Sequence, residues 1–143
     1  MIYTPMTKKA MNLCFDAHKE QMDKGGIPYV FHPIHLAEQM SDELSTVCAL
    51  LHDVIEDTNY TLSDISDMGF PISVTEVLAL PTYDQSISYF DYVKRLAANP
   101  IAKQIKLADL KHNSDISRLD AINENTVRRI YKYKQAMKIL MEN

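Results

Sequence analysis

The sequence predicts an all-α fold, a single-domain helical bundle over residues 1–143. Three observations carry this. Glycine is scarce, at three residues, while Leu, Ala, Lys, Met, Glu and Gln recur throughout, a mix that favours helix over sheet. Apolar residues return at helical spacing along most of the chain. No stretch alternates as a half-buried strand would. Roughly eight helical segments follow, and without a sheet their apolar stripes must bury one another.

The first helix is expected over Pro5–Met22, with Thr4 as N-cap and Pro5 at the first helical position. Its stripe is Ala10, Leu13, Cys14 and Ala17. Gly25, Gly26 and Pro28 make Asp23–His32 a loop, and Pro33 opens a short helix to about Met40. Asp42 caps a helix over Glu43–Ile55 that is apolar on nearly every side and should be central. Thr61-Leu-Ser-Asp64 reads as a capping box with Asp in place of Glu. Further helices are expected over Ile72–Leu80, Ile87–Ala98, Ile101–Ser117 and Asn125–Met141.

Composition bounds the function. Apolar residues are 46% and charged residues 24%, ordinary for a globular protein able to build its own core. The net charge of −4 weighs against a nucleic-acid partner, although Lys103, Lys106 and Lys111 form a local basic cluster able to meet a phosphate. Cys14 and Cys48 fall on apolar stripes and read as buried, reduced thiols, which fits the cytoplasm. No apolar run reaches the ~18 residues of a membrane span, and the opening MIYTPMTKKAMN has no signal-peptide core. No membrane partner is expected, and oligomeric state is not legible.

The chemistry gathers on the central helix, in Leu50-Leu51-His52-Asp53-Val54-Ile55-Glu56-Asp57-Thr58. Burying a charge without a partner costs several kcal/mol, and a metal ion would resolve that cost for His52 and Asp53 together. At helical period His52 and Glu56 share one stripe, and Asp53 and Asp57 the next. His32 stands just before Pro33, and Asp109 sits on an apolar helix face beside Ile105 and Ala108. Two His and two Asp make a mixed nitrogen–oxygen set suited to manganese, iron or zinc rather than calcium. Taken singly, His32 and Asp109 read better as caps or buried hydrogen-bonding residues than as ligands.

Taken in order, the pieces resemble a known family. His18-Lys19-Glu20-Gln21, Lys24, Gly26, Pro28-Tyr29, His32-Pro33, Leu50 to Thr58 and Lys106 to Asn113 are similar to the HD-domain superfamily, whose pattern is His, then His-Asp, then a distant Asp. Within it the match is to the hydrolase domain of RelA/SpoT-type proteins and their small stand-alone relatives, over residues 10 to about 120. The resemblance implies removal of the 3′-pyrophosphate from guanosine tetra- and pentaphosphate, the nucleotides of the stringent response, usually with manganese. It implies His32, His52, Asp53 and Asp109 as ligands of one divalent cation, most simply Mn2+. Glu56 and Asp57 would orient and deprotonate the attacking water, and Lys24 and Asn113 would help seat the nucleotide. Lys106, with Lys111, would offset charge on the phosphate. The chain stops before a synthetase domain, so hydrolysis alone is expected.

The base-recognition loop departs from the family. Asp23 stands for its Arg, Gly25 for its Asp and Ile27 for its Thr, while Leu110 replaces the Arg after the distant Asp. Two other readings therefore stay open. One is an HD phosphohydrolase for another nucleotide, such as a nucleoside monophosphate or NADPH. The other is a non-catalytic nucleotide sensor, against which retention of Glu56 and Asp57 counts. The remaining residues take plain readings: His35 in solvent, His18 and His112 structural, and the eight Met residues filling the core. Tyr83, Tyr89, Tyr92, Tyr131 and Tyr133 read as core-edge packing, with Tyr89 closest to the family pattern.

Overall fold

The computed structural model describes residues 1–82 and 85–143, so Tyr83 lies outside the described residues. The chain divides into two compact units, Met1–Thr82 and Tyr83–Asn143. Among the described residues the regular structure is helical, with one isolated bridge between Met22 and Pro28.

In the first unit, α1 (Pro5–His18) starts at a reciprocal capping box between Thr4 and Thr7, and buries Ala10, Leu13, Cys14 and His18. It ends four residues before the predicted Met22. There the chain reverses, with the Tyr29 N–H donating to the Gln21 carbonyl at 2.9 Å. Helix α2 (Phe31–Glu38) begins two residues before Pro33. Proline loses nothing there, because the first-turn N–H groups have no acceptor inside the helix. His32 is thereby a helical residue, 3% exposed, rather than a residue in front of a helix.

Helix α3 (Glu43–Leu51) is central as predicted: it touches α1, α2 and α6, and every residue from Ser45 to Leu51 is buried. It stops at His52 instead of running to Ile55. The His52 Nδ1–H donates to the Ala49 carbonyl at 2.6 Å, competing for an acceptor that an unbroken helix gives to the Asp53 N–H. Asp53, at φ −102° and ψ −3°, then starts a separate turn, α4 (Val54–Asp57). Helix α5 (Leu62–Asp67) carries the predicted capping box, with Thr61 and Asp64 each satisfying the other's N–H. Gly69, at φ +90°, supplies the left-handed residue after it, and α6 (Ile72–Ala79) packs on α3 and α5.

Asp42 caps α3 through Oδ1, which accepts from the Ser45 hydroxyl at 2.7 Å and the Ser45 N–H at 2.8 Å. Those bonds hold its carboxyl below the ordinary carboxylate range. Asp42→Ala is therefore expected to lower stability by about 1 kcal/mol at neutral pH. A depressed folded pKa gives stabilisation that is present above the unfolded value and lost as pH falls through the folded one. Urea unfolding at pH 7 and at successively lower pH should thus find the two proteins converging in acid; a constant difference would discount the cap.

The second unit holds α7 (Tyr89–Ala97, capped by Ser88), α8 (Pro100–Asn113, capped by Asn99) and α9 (Glu124–Glu142, capped by Asn123). A 3-10 turn over Ile116–Arg118 replaces the predicted end of α8. The three helices contact one another, with Val93, Leu96, Leu110 and Leu140 fully or almost fully buried. Two expectations fail at the surface. Met22 and Met141 are 61% and 70% exposed, so these methionines do not fill the core. Tyr131, at 66%, lies on the solvent side of α9 and is not packing. No helix among the described residues is long and apolar enough to cross a membrane.

Candidate metal centre

The break between α3 and α4 creates the site in the first unit. It turns the Asp53 carboxylate so that Oδ2 lies 2.9 Å from His52 Nε2 and 3.9 Å from His32 Nε2. The two imidazole rings are 5.4 Å apart. One donor atom from each of His32, His52 and Asp53 lies within 4.8 Å of the others, about twice a metal–ligand bond of about 2.1 Å.

The His52 tautomer tests whether a cation fits. A carbonyl only accepts, so the bond to Ala49 puts the proton on Nδ1 and leaves the Nε2 lone pair of a neutral ring facing a carboxylate oxygen. Two acceptors hold that arrangement only with a proton or a metal ion beside them. The donor set, imidazole nitrogen plus carboxylate oxygen, matches a divalent transition metal.

The loop leading to this corner is organised by Asp23. Its Oδ1 accepts from Gly25 N at 2.8 Å and Ile27 N at 2.9 Å, with Gly26 in the left-handed region at φ +80°. The residue that departs most from the family pattern is therefore the one that builds the turn. Lys24 is exposed at its tip. Gln21 ties the loop to α4, its amide donating to the Asp57 carbonyl at 2.8 Å while its oxygen accepts from His18 Nδ1 at 2.7 Å. His18 is wholly buried, and its Nε2 has no hydrogen-bond partner among the described residues. Such a group costs about 1–3 kcal/mol, which the surrounding packing must offset.

Glu56 and Asp57 are exposed on α4, one turn past Asp53, and the Asp57 N–H donates to the Asp53 carbonyl at 2.9 Å. Asp57 also lines an open cleft with Asp16, Glu20 and Asp64. Four carboxylates make that cleft acidic. His35 is exposed, as expected.

In the second unit, Asp109 is 9% exposed on α8 and both its oxygens are engaged. Lys106 Nζ donates to Oδ2 and Asn113 Nδ2 to Oδ1, each at 3.1 Å. Burial alone would lower the Lys106 ammonium; Asp109 beside it, with Tyr89 and Tyr92, outweighs this and drives it well above the usual lysine range. Lys106 is thus a permanent cation bonded to the Asp109 carboxylate. Tyr89 carries the Lys132 ammonium 4.0 Å above its ring, and Tyr92 is buried. Sequence reasoning assigned Lys106 and Asn113 to substrate and missed their grip on Asp109, although the i, i+3 and i, i+4 spacings were visible. Cys14 and Cys48 are buried and free, and burial pushes both thiols up to about 12, so neither is a thiolate ligand.

All-helical, with His, His-Asp and a later Asp in this order, the chain keeps in its structure the pattern by which it resembles the HD class. No protein-family model matches it. Among curated proteins it is 31% identical over 120 residues to a probable GTP pyrophosphokinase of Mycobacterium leprae, covering 76% of this chain and 15% of that protein. It is 31% identical over 114 residues to the guanosine-3′,5′-bis(diphosphate) 3′-pyrophosphohydrolase of Mus musculus, covering 69% of this chain and 63% of that one. The enzyme of the same name from Aquifex aeolicus is 30% identical over 146 residues, covering 94% and 20%. The matches thus span from 15% to 63% of these relatives' own lengths. The solved structure of a metazoan ortholog of SpoT, described as hydrolysing ppGpp, shares the fold at a TM-score of 0.76 and 23% identity, over 98% of this chain and 88% of that one. The chain is thus similar in sequence to RelA/SpoT-type proteins and shares the all-helical fold of one of them.

Proposed function

We propose that the chain is a cytoplasmic, metal-dependent hydrolase that removes the 3′-pyrophosphate from guanosine 3′,5′-bis(diphosphate), with residues 1–143 acting as one catalytic domain. The observation that carries this is the convergence of Asp53 Oδ2 with the Nε2 atoms of His32 and His52. Asp109 is the proposed fourth ligand and Mn2+ the proposed cation. Bound there, a divalent cation supplies Lewis acidity and positive charge to the reacting phosphate.

The chain's own residues do the rest. Glu56 or Asp57 takes a proton of the attacking water at a carboxylate oxygen and so orients the water oxygen in line with the phosphorus and its leaving oxygen. Water oxygen bonds to phosphorus as the bond from the ribose 3′-oxygen to phosphorus breaks; the 3′-oxygen takes up a proton, matching the one the carboxylate removed, and pyrophosphate and guanosine diphosphate are released. Asn113 and Lys106 fix Asp109 through its two oxygens, and Lys106 adds a fixed positive charge next to that ligand. Lys24 remains as the loop cation for the nucleotide, because the Asp23 carboxylate is committed to its own turn. The similarity to guanosine-3′,5′-bis(diphosphate) 3′-pyrophosphohydrolases supports the substrate class. Identification of products from this nucleotide, set beside a nucleoside monophosphate and NADPH, tests the reading: guanosine diphosphate and pyrophosphate are expected, and preference for either alternative would contradict it.

A further inference from the structure

The loop motif Pro28-Tyr29 belongs to the sequence pattern, yet the mechanism above gives it no part. Its geometry gives it one. The Asp23 turn and the pairing of Met22 with Pro28 close the loop, and the Tyr29 N–H on the Gln21 carbonyl at 2.9 Å fixes the Tyr29 backbone. The Gln21 side chain in turn bridges His18 and the Asp57 carbonyl, so this strut is anchored on α1 and α4 together. The Tyr29 ring stands between two imidazoles, 5.1 Å from His18 and 5.6 Å from His32 between centroids. Its hydroxyl donates to Asp53 Oδ2, the same oxygen that faces both His32 Nε2 and His52 Nε2.

Asp53 needs such a restraint. It sits at the junction of two helices, off regular helical geometry, where neighbouring turns do little to fix its side chain. A phenol donating to a carboxylate is a charge-assisted bond that leaves the oxygen's other lone pair available. Ligating carboxylates are themselves hydrogen-bonded, and losing that bond costs about 10- to 100-fold in metal affinity. We infer that Tyr29 is a positioning residue for the metal centre, holding Asp53 Oδ2 towards His32 and His52 through a loop that also grips the backbone of Asp57. The inference rests on the metal-centre reading above.

The test is Mn2+ binding to the full chain, followed by calorimetry and by the electron paramagnetic resonance of free Mn2+, in the unaltered protein and in Tyr29→Phe. The exchange removes one oxygen and keeps the ring between its two imidazoles. Expected are about 10- to 100-fold weaker binding, and metal-free circular dichroism and thermal midpoint close to those of the unaltered protein. Equal affinity in both proteins would overturn the positioning role while leaving the metal centre intact. No Mn2+ binding by the unaltered protein would overturn both. Should Tyr29→Phe fail to fold, the unaltered protein labelled with tyrosine 13Cζ gives a second reading on adding Zn2+. The Tyr29 resonance should move, because its acceptor oxygen becomes a ligand, while that of exposed Tyr131 stays; an unmoved Tyr29 resonance counts against the proposal.

Discussion

Asp53→Ala is expected to lose the divalent cation and to lower turnover of guanosine 3′,5′-bis(diphosphate) by about four orders of magnitude, the scale on which losing one indispensable member of a catalytic group acts. Asp53 Oδ2 is the atom on which His32, His52 and Tyr29 all converge, so its removal takes away the carboxylate oxygen that faces both imidazoles. The chain should remain folded: the Asp53 side chain is 15% exposed and lies outside the apolar packing of α3. Mn2+ titration and kcat/KM on one preparation check both halves of the expectation. Tight Mn2+ binding with turnover within ten-fold of the unaltered protein would remove Asp53 from the centre.

The double variant Glu56→Ala with Asp57→Ala should behave in the opposite way towards the metal. Both residues are exposed on α4, so stability should change by no more than about 0.5 kcal/mol per site. The bonds that shape α4 around them involve the Asp57 backbone, which the substitution leaves in place. Mn2+ affinity is therefore expected to stay within a few-fold, while kcat falls by about 10²- to 10⁴-fold, the range for loss of a positioned general base. Unchanged kcat would strip the pair of its role. Lost metal binding would make these residues part of the ligand sphere.

Much of this architecture is written locally. Thr4, Asp42 and Thr61 announce three helix starts because a cap and its partner lie within one turn, and each forms as read. The burial of α3 follows from a run apolar on all sides. The break at His52 was hidden for a physical reason. Apolar periodicity continues through Leu50–Ile55, both junction residues keep right-handed backbone angles, and the interruption comes with a side-chain bond to a carbonyl. That break aims Asp53, so the feature that makes the site was the one periodicity could not reveal.

The candidate ligands were legible as residue types in order. What orients them was legible only in part. Lys106 and Asn113 lie within one turn of Asp109 and could have been read as its clamps. Tyr29 could not, because 24 residues separate it from Asp53 and only the folded loop joins them. Asp23 illustrates the converse. Compared with a family pattern it looks like a lost cation, whereas in the fold its carboxylate satisfies two backbone N–H groups of its own turn.

The most direct measurement is product analysis. The purified chain, stripped of metal and reloaded with Mn2+, is incubated with guanosine 3′,5′-bis(diphosphate), and in parallel with a nucleoside monophosphate and NADPH. Products are separated by ion exchange and identified by phosphorus NMR. The account predicts guanosine diphosphate and pyrophosphate in equal amounts from the first substrate, dependent on added Mn2+ and absent with Asp53→Ala. Mn2+ bound without turnover of that nucleotide, or faster turnover of either alternative, would contradict it.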